Sequence, residues 1–528
     1  MTDAAGPART VPELVRRAEE RFGDGLAVVT PDGERLTYAE LVAEARELGA
    51  ALVADGIGAG DRVAIWAPNG RRWIVALLGL LEAGATLVPV NTRFKGDEAA
   101  AILARAHVRA LVTVTDFLGN DHVAMLRGSD VELPDLSTVV VAAGPVPDGA
   151  VGWEQLLERV DETARAELRR RADAVAPDDV ADILFTSGTT GVPKGVVQTH
   201  ERTLTVAQDW VAMTGLRAGD RYLMVNPYFH MFGLKAGILA SVAAGATMLP
   251  EPVFDPDVVL RRVAAEQVTV LPGPPTLYQS LLDHDRRPDV DLSSLRVAVT
   301  GAADIPVDLI RRIRDELPFS LIVTGYGLTE GGTAAATGPE DDPPTIAQTV
   351  GRPRPGFSIR IVGDTGAAVE PGGVGEIQLQ GRSVMSHYLD DPDATAAAMT
   401  GDGWLRTGDL GTIDGAGNLR IVGRSKDMFI VGGFNVYPAE VEDALCRHPG
   451  IAHAAVVGVP DERLGEVGAA FVVASGGADV DPDEVIAWAR EHMANFKAPR
   501  VVVVIDELPI NATGKVVKDD LRALVPER

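Results

Sequence analysis

Ten consecutive residues, Thr186 to Gly195 (T-S-G-T-T-G-V-P-K-G), hold three glycines, four hydroxyl side chains and one lysine. Glycine permits sharp turns that aim successive backbone N–H groups inward, the hydroxyls add donors, and Lys194 adds a full charge. Such a loop suits a polyphosphate. The apolar run Ile183-Leu184-Phe185 before it reads as a buried strand feeding the turn. Two familiar nucleotide patterns are absent. Pro193 precedes Lys194, and Pro509 stands five positions before Gly514-Lys515, so neither lysine belongs to a Walker loop. Gly325-Tyr326-Gly327 is followed three positions on by Glu330, which breaks the dinucleotide fingerprint.

Four further stretches carry chemistry. Tyr326-Gly327-Leu328-Thr329-Glu330 sets an aromatic ring, a glycine, a hydroxyl and a carboxylate after an apolar strand, and magnesium favours carboxylate and phosphate oxygens. Trp404 to Asp409 (W-L-R-T-G-D) is followed by Arg424; read alone, Asp409 is as readily a turn residue. Pro509 to Lys515 (P-I-N-A-T-G-K) ends in a lysine on a glycine turn, which alone is an exposed loop charge. Pro227 to Gly233 (P-Y-F-H-M-F-G) places His230 among apolar residues, where a lone histidine is commonly part of the core.

The elements that must position these residues follow a helix and strand alternation. Residues 37–56 open with Thr37 and Glu40 at capping-box spacing, carry Leu41, Ala45, Leu48 and Leu52 on one face, and stop at Gly56. Trp73 to Val90 is broken by Gly79, Glu82, Gly84 and Pro89, so it is predicted as helix, turn and buried strand, not a membrane span. Strand-like runs at Tyr222–Val225, Ala246–Leu249, Val268–Leu271, Val297–Thr300 and Leu321–Thr324 follow the loop, with helices between. This texture predicts an α/β chain with two parallel-rich sheets of the αβαβα type. Short strands and glycine turns over Val350 to Gly423 predict a small β subdomain. Gly423 to Asp427 marks a boundary, giving a large domain over 1–424 and a small α+β domain over 425–528.

A formal net charge of −26, from 49 Lys and Arg against 75 Asp and Glu, disfavours nucleic-acid or anionic-membrane partners. An anionic small molecule therefore needs a locally basic site. The single cysteine, Cys446, excludes an internal disulfide and reads as a small apolar helix residue. Met1 to Thr10 has no apolar signal core, and a cytoplasmic location is expected. A monomer and a homodimer are both compatible with the sequence.

These motifs, in order and spacing, resemble those of the adenylate-forming enzymes: acyl-CoA synthetases, adenylation domains and beetle luciferase. The resemblance spans essentially the whole chain. It implies that Thr186, Ser187, Gly188, Thr189, Thr190 and Lys194 wrap the β- and γ-phosphates of ATP. It implies that Tyr326 stacks on adenine against Gly301, Ala302 and Ala303, with Gly327 also binding the nucleotide, Thr329 near the α-phosphate and Glu330 on Mg²⁺. Asp409 then binds the ribose hydroxyls with support from Arg424, and Lys515 bridges the substrate carboxylate and α-phosphate. In such enzymes the small domain rotates about a hinge, here Lys426, to present a face with Gly432 and Gly433 to coenzyme A. His230, Phe232, Gly233 and Gly325 resemble residues of the acyl pocket, and no aspartate between Asn226 and Lys235 would hold an amino-acid ammonium.

Within that superfamily the chain is most similar to the actinobacterial ligases that activate the propanoate side chain of a steroid-derived bicyclic indane. The similarity is carried by Leu271 to His284, Asn226-Pro227 with His230 to Leu239, and Gly432 to Glu442. Thr324 stands where many fatty-acid branches have Gln or Asn. The resemblance implies a Mg·ATP- and CoA-dependent ligase. Medium- or long-chain and aryl acids, a carrier-protein thiol as acceptor, and a non-catalytic nucleotide sensor are the competing expectations.

Overall fold

In the computed structural model, Thr37 and Glu40 form the expected capping box. Thr37 Oγ1 accepts from Glu40 N–H and Glu40 Oε2 accepts from Thr37 N–H, opening the helix Tyr38–Ala54. The structure describes residues 6–186, 193–301, 305, 307–363, 365–424, 427–431, 434–461, 463–476, 478–511 and 516–525. Trp73 to Val90 divides as its breakers predict: a helix ends at Glu82, Gly84 turns with φ of +74°, and Thr86–Pro89 is a buried strand.

Two large sheets organise the chain. In the first, the strands Val180–Thr186, Thr86–Pro89, Arg62–Trp66, Val108–Val114, Thr138–Ala143 and Val151–Gly152 run parallel, with Lys194–Thr199 and His387–Tyr388 added antiparallel at one edge. In the second, Leu26–Val29, Thr247–Pro250, Arg221–Met224, Val270–Pro272, Val297–Gly301 and Leu321–Leu328 run parallel, flanked by antiparallel strands at both edges. An apolar core containing Trp73, Tyr38, Tyr222 and Tyr228 joins residues of both sheets through the helices Tyr38–Ala54, Arg71–Glu82 and His200–Thr214. Parallel strands covered on both faces explain the near-continuous apolar runs in the sequence.

The expected β subdomain is a four-stranded antiparallel sheet of Phe357–Val362, Gly375–Gly381, Leu405–Ile413 and Leu419–Arg424. Beyond it, five strands with the helices Pro438–Leu445 and Pro482–His492 form an α+β unit with its own core around Phe429, Val456 and Val472. No helix among the described residues is long and apolar enough to cross a membrane.

One expected boundary shifts. Tyr326, Gly327 and Leu328 do not follow their strand but complete it, because Leu321–Leu328 continues into a hairpin with Gly332–Ala336. Cross-strand pairing there overrides the poor strand propensity of Gly325 and Gly327. Thr329 and Glu330 are left at the turn, at the carboxyl end of the parallel strands where open sheets bind ligands.

Candidate active site

The two large sheets meet at Glu330. The strand Val180–Thr186 buries Ile183 and Leu184, pairs antiparallel with Lys194–Thr199, and sets Thr186 opposite Lys194. Thr186 Oγ1 lies 3.4 Å from Glu330 Oε1. Tyr388, on the strand beside Lys194–Thr199, donates its hydroxyl to the same oxygen at 2.9 Å. Lys194 Nζ lies 5.1 Å from the centre of the Tyr388 ring, within cation–π range. The turn is held from beneath: Met385 N–H donates to the Glu330 carbonyl at 2.6 Å, and Gln198 Nε2 to that of Thr329 at 3.3 Å.

This cluster fits a divalent ion with phosphate. Both hydroxyl contacts fall on Oε1, which leaves Glu330 Oε2 for another partner. No group of three or more His, Cys, Asp or Glu that could hold a metal occurs among the described residues. A Mg²⁺ ion held by one carboxylate would take phosphate oxygens and water as its other ligands.

The second cluster joins the large sheet to the β subdomain. Tyr326 donates its hydroxyl to Asp409 Oδ2 at 2.6 Å, and Arg424 Nε lies 3.0 Å from Asp409 Oδ1. Asp409 and Arg424 are direct cross-strand partners, so the ion pair is built into the register. Burial, reinforced by the Asp409 charge, raises the Tyr326 phenol well above its usual range, which keeps it a donor. A carboxylate offers about four acceptor sites, so Asp409 keeps capacity for a diol. Gly301 and Gly325 pair on adjacent strands, and a Cβ on Gly301 would come 3.0 Å from the Gly325 carbonyl oxygen, a tight approach that favours glycine there. Gly327 lies in the same hairpin, one residue past Tyr326.

The histidine stretch winds as a π-helix over Phe232–Leu239, a form frequent at functional sites. His230 Nδ1 accepts from Phe232 N–H at 3.2 Å, so a neutral ring carries its proton on Nε2. Phe232 packs edge-on against Trp210 at 5.1 Å. Gly233 leaves no room for a side chain: a Cβ would run into the Pro227 carbonyl.

Ser187, Gly188, Thr189, Thr190, Ala302, Ala303, Lys426, Gly432, Gly433 and Lys515 lie outside the described residues. Three residues that the sequence reading passed over emerge beside the site. They are Tyr388 on Glu330, and Asp182 with Lys235, which form a buried ion pair. A charge within each of two apolar runs, V-A-D-I-L-F and F-G-L-K-A-G-I-L, was the available signal for that pair. Nothing local marked Tyr388.

The architecture is that of an adenylate-forming enzyme, and comparison with known proteins agrees on the fold and the family. Residues 15–389 match the family of AMP-binding enzymes and residues 440–515 its C-terminal domain, so the chain belongs to the AMP-binding enzyme family. It is 48% identical over 97% of its length to the 3-[(3aS,4S,7aS)-7a-methyl-1,5-dioxo-octahydro-1H-inden-4-yl]propanoyl:CoA ligase of Rhodococcus jostii RHA1, covering 98% of that protein. To the ligase of the same name from Mycobacterium tuberculosis H37Rv it is 50% identical over 98% of its length, covering 99% of that protein. Among solved structures, ATP-bound MatB from Rhodopseudomonas palustris superposes with a TM-score of 0.84 at 30% identity, over 98% of this chain and 99% of that one.

Proposed function

We propose that the protein is an ATP- and CoA-dependent acid:CoA ligase acting on a steroid-derived bicyclic propanoate through an acyl-adenylate. The observation that carries the reaction class is the meeting of Thr186, Glu330 and Tyr388 beside the Tyr326–Asp409–Arg424 cluster, one suited to phosphate and the other to a nucleoside. The acid is inferred from the near-50% identity, over almost the whole chain, to two ligases named for that substrate.

In this reading a carboxylate oxygen attacks the α-phosphorus, the α–β bridging P–O bond breaks, and pyrophosphate leaves. The CoA sulfur then attacks the acyl carbon, the bond to AMP breaks, and the thiol proton passes to solvent. No protein nucleophile is needed, so the chain contributes positioning and charge. Asp409 accepts the ribose hydroxyls while Arg424 and Tyr326 fix its orientation. Thr186, Lys194 and the loop residues Ser187, Gly188, Thr189 and Thr190 hold the leaving phosphates, and Thr329 attends the α-phosphate. Mg²⁺ on Glu330 would neutralise charge on the departing pyrophosphate. His230 and Phe232 flank the acid, and Lys515 stands between its carboxylate and the phosphate.

We place the domain boundary after Arg424, with Lys426 as hinge and Gly432 and Gly433 beside the CoA arm. We also place the enzyme in the cytoplasm, in line with a single cysteine. The test is CoA-thioester formation by the purified protein on straight-chain, aryl and bicyclic propanoates. A kcat/KM for the bicyclic acid at least about tenfold above the rest is expected, roughly the discrimination that an apolar pocket supplies. A preference for another class would remove the substrate, and absence of acid-dependent pyrophosphate release would remove the reaction.

A further inference from the structure

Lys235 Nζ lies 2.9 Å from Asp182 Oδ1, and the two side chains are 0% and 2% exposed. The contact is ionic more than directional, since neither of these atoms has a well-aligned hydrogen-bond partner. The other carboxylate oxygen of Asp182 accepts the Thr203 hydroxyl. Three elements therefore meet at one buried carboxylate: the strand Val180–Thr186, the helix His200–Thr214 and the π-helix Phe232–Leu239.

Net stability is a weak reason for such an arrangement. Stripping water from two charges offsets much of their attraction, and well-packed apolar residues of similar volume commonly serve as well or better. What a buried pair can add to apolar contact is a single register. Greasy surfaces pack in several neighbouring registers, whereas a charge has one favourable place to sit.

Both ends of the pair lead to the site. Side chains two and four positions apart in a strand share a face, so Asp182 and Thr186 lie along one side of the strand that carries the phosphate loop. Lys235 belongs to the π-helix that contains Phe232 and begins just beyond His230. The same unit is braced by the Trp210–Phe232 ring contact, which ties it to the helix of Thr203.

We propose that the Asp182–Lys235 pair is a positioning device for the first half-reaction, fixing the acid-binding π-helix against the strand that presents the phosphates. The proposal rests on the ligase reading above. The pair touches no reactant; it acts through the alignment of the carboxylate with the α-phosphorus, where a small misplacement is costly to rate.

The test is the near-isosteric double variant D182N/K235M, which removes both charges without stranding either. It should fold, with kcat/KM for the acid in pyrophosphate release lowered at least tenfold, and transfer of supplied acyl-adenylate to CoA within threefold of wild type. Amide hydrogen exchange gives a readout independent of turnover: protection should fall together in 180–186 and 232–239. Retained kcat/KM, equal loss of both half-reactions, or exchange that rises in one segment alone would overturn the proposal. Should the double variant not fold, Asp182→Glu keeps the charge but lengthens the link, and an unchanged KM for the acid would count decisively against it. A wild-type enzyme that releases no pyrophosphate with any acid defeats the ligase reading, while the exchange experiment still decides the pair's structural role.

Discussion

Tyr388 donates its hydroxyl to Glu330 Oε1 at 2.9 Å across 58 residues of sequence. Burial, and then the Glu330 charge, raise the phenol above its ordinary range, so it remains a donor at any physiological pH. The bond commits one carboxylate oxygen to the protein and leaves Oε2 for a ligand. Lys194 over the tyrosine ring joins the strand Lys194–Thr199 to the same contact.

Tyr388→Phe removes that bond while keeping the ring under Lys194. The carboxylate then gains rotational freedom, and the magnesium concentration for half-maximal pyrophosphate release should rise several-fold, with kcat lowered about tenfold, or ~1.4 kcal/mol of barrier. Stability should fall by only ~1.5–3 kcal/mol, the size of one hydrogen bond to a charged group. An unchanged magnesium titration would dissociate Tyr388 from the role of Glu330.

Asp409 accepts from Tyr326 and pairs with Arg424 at the same time. Asp409→Asn conserves the shape but turns an NH₂ toward one of those donors, and it weakens every hydrogen bond that the carboxylate made. ATP affinity measured by calorimetry should drop about 100-fold, equivalent to ~2.7 kcal/mol. Tyr326→Phe should cost less, near tenfold, since Arg424 still orients the carboxylate. If the asparagine variant binds ATP as wild type does, Asp409 does not carry the ribose.

Glu82 supplies a pH-dependent stability effect away from the chemistry. It ends the helix Arg71–Glu82, is 3% exposed, and has Arg46 Nε 3.6 Å from Oε2. Burial pushes its carboxyl up to about 7 from 4.5, with Arg46 opposing. The folded protein thus holds this proton more tightly than the unfolded chain. Stability from this group is greatest below pH ~4.5 and falls as pH rises toward 7, a change of about 3 kcal/mol at most. Glu82→Gln should be near neutral at pH 5 and stabilising by ~1–3 kcal/mol at pH 8. Denaturant titration at both pH values checks the sign, and an equal effect at each would be inconsistent with a buried titrating carboxyl.

What the sequence made legible was local. The Thr37/Glu40 cap, the break of Trp73 to Val90 at Gly84, and the strand into Thr186 each follow from residues within a few positions of one another. The glutamate turn and the aspartate of W-L-R-T-G-D were likewise visible as motifs, although their meeting through Tyr326 depends on strands from different sheets. Tyr388 and the Asp182–Lys235 pair were hidden because their partners are distant in sequence and their meaning lies wholly in the contact. The π winding at Phe232–Leu239 was hidden for another reason. An apolar run with glycines has no periodicity that separates one helical form from another.

Lys515 is the test of whether the two chemical steps use different parts of the protein. Adenylation brings a carboxylate against a polyphosphate, so two anions must approach, and a cation between them stabilises the charge that accumulates as the bond forms. Thioester formation has no such encounter: the acyl group is already neutral adenylate carbonyl, and the attacking sulfur must reach its carbon. Lys515→Ala should therefore slow acid-dependent pyrophosphate release by ~10²–10³-fold, the range for losing one preorganised charge-stabilising group. Transfer from supplied acyl-adenylate to CoA should stay within about threefold, since the step proposed for the lysine has been bypassed. Single-turnover measurement of the two steps separates them, and a comparable loss in both would mean that Lys515 supports the fold or nucleotide binding in general.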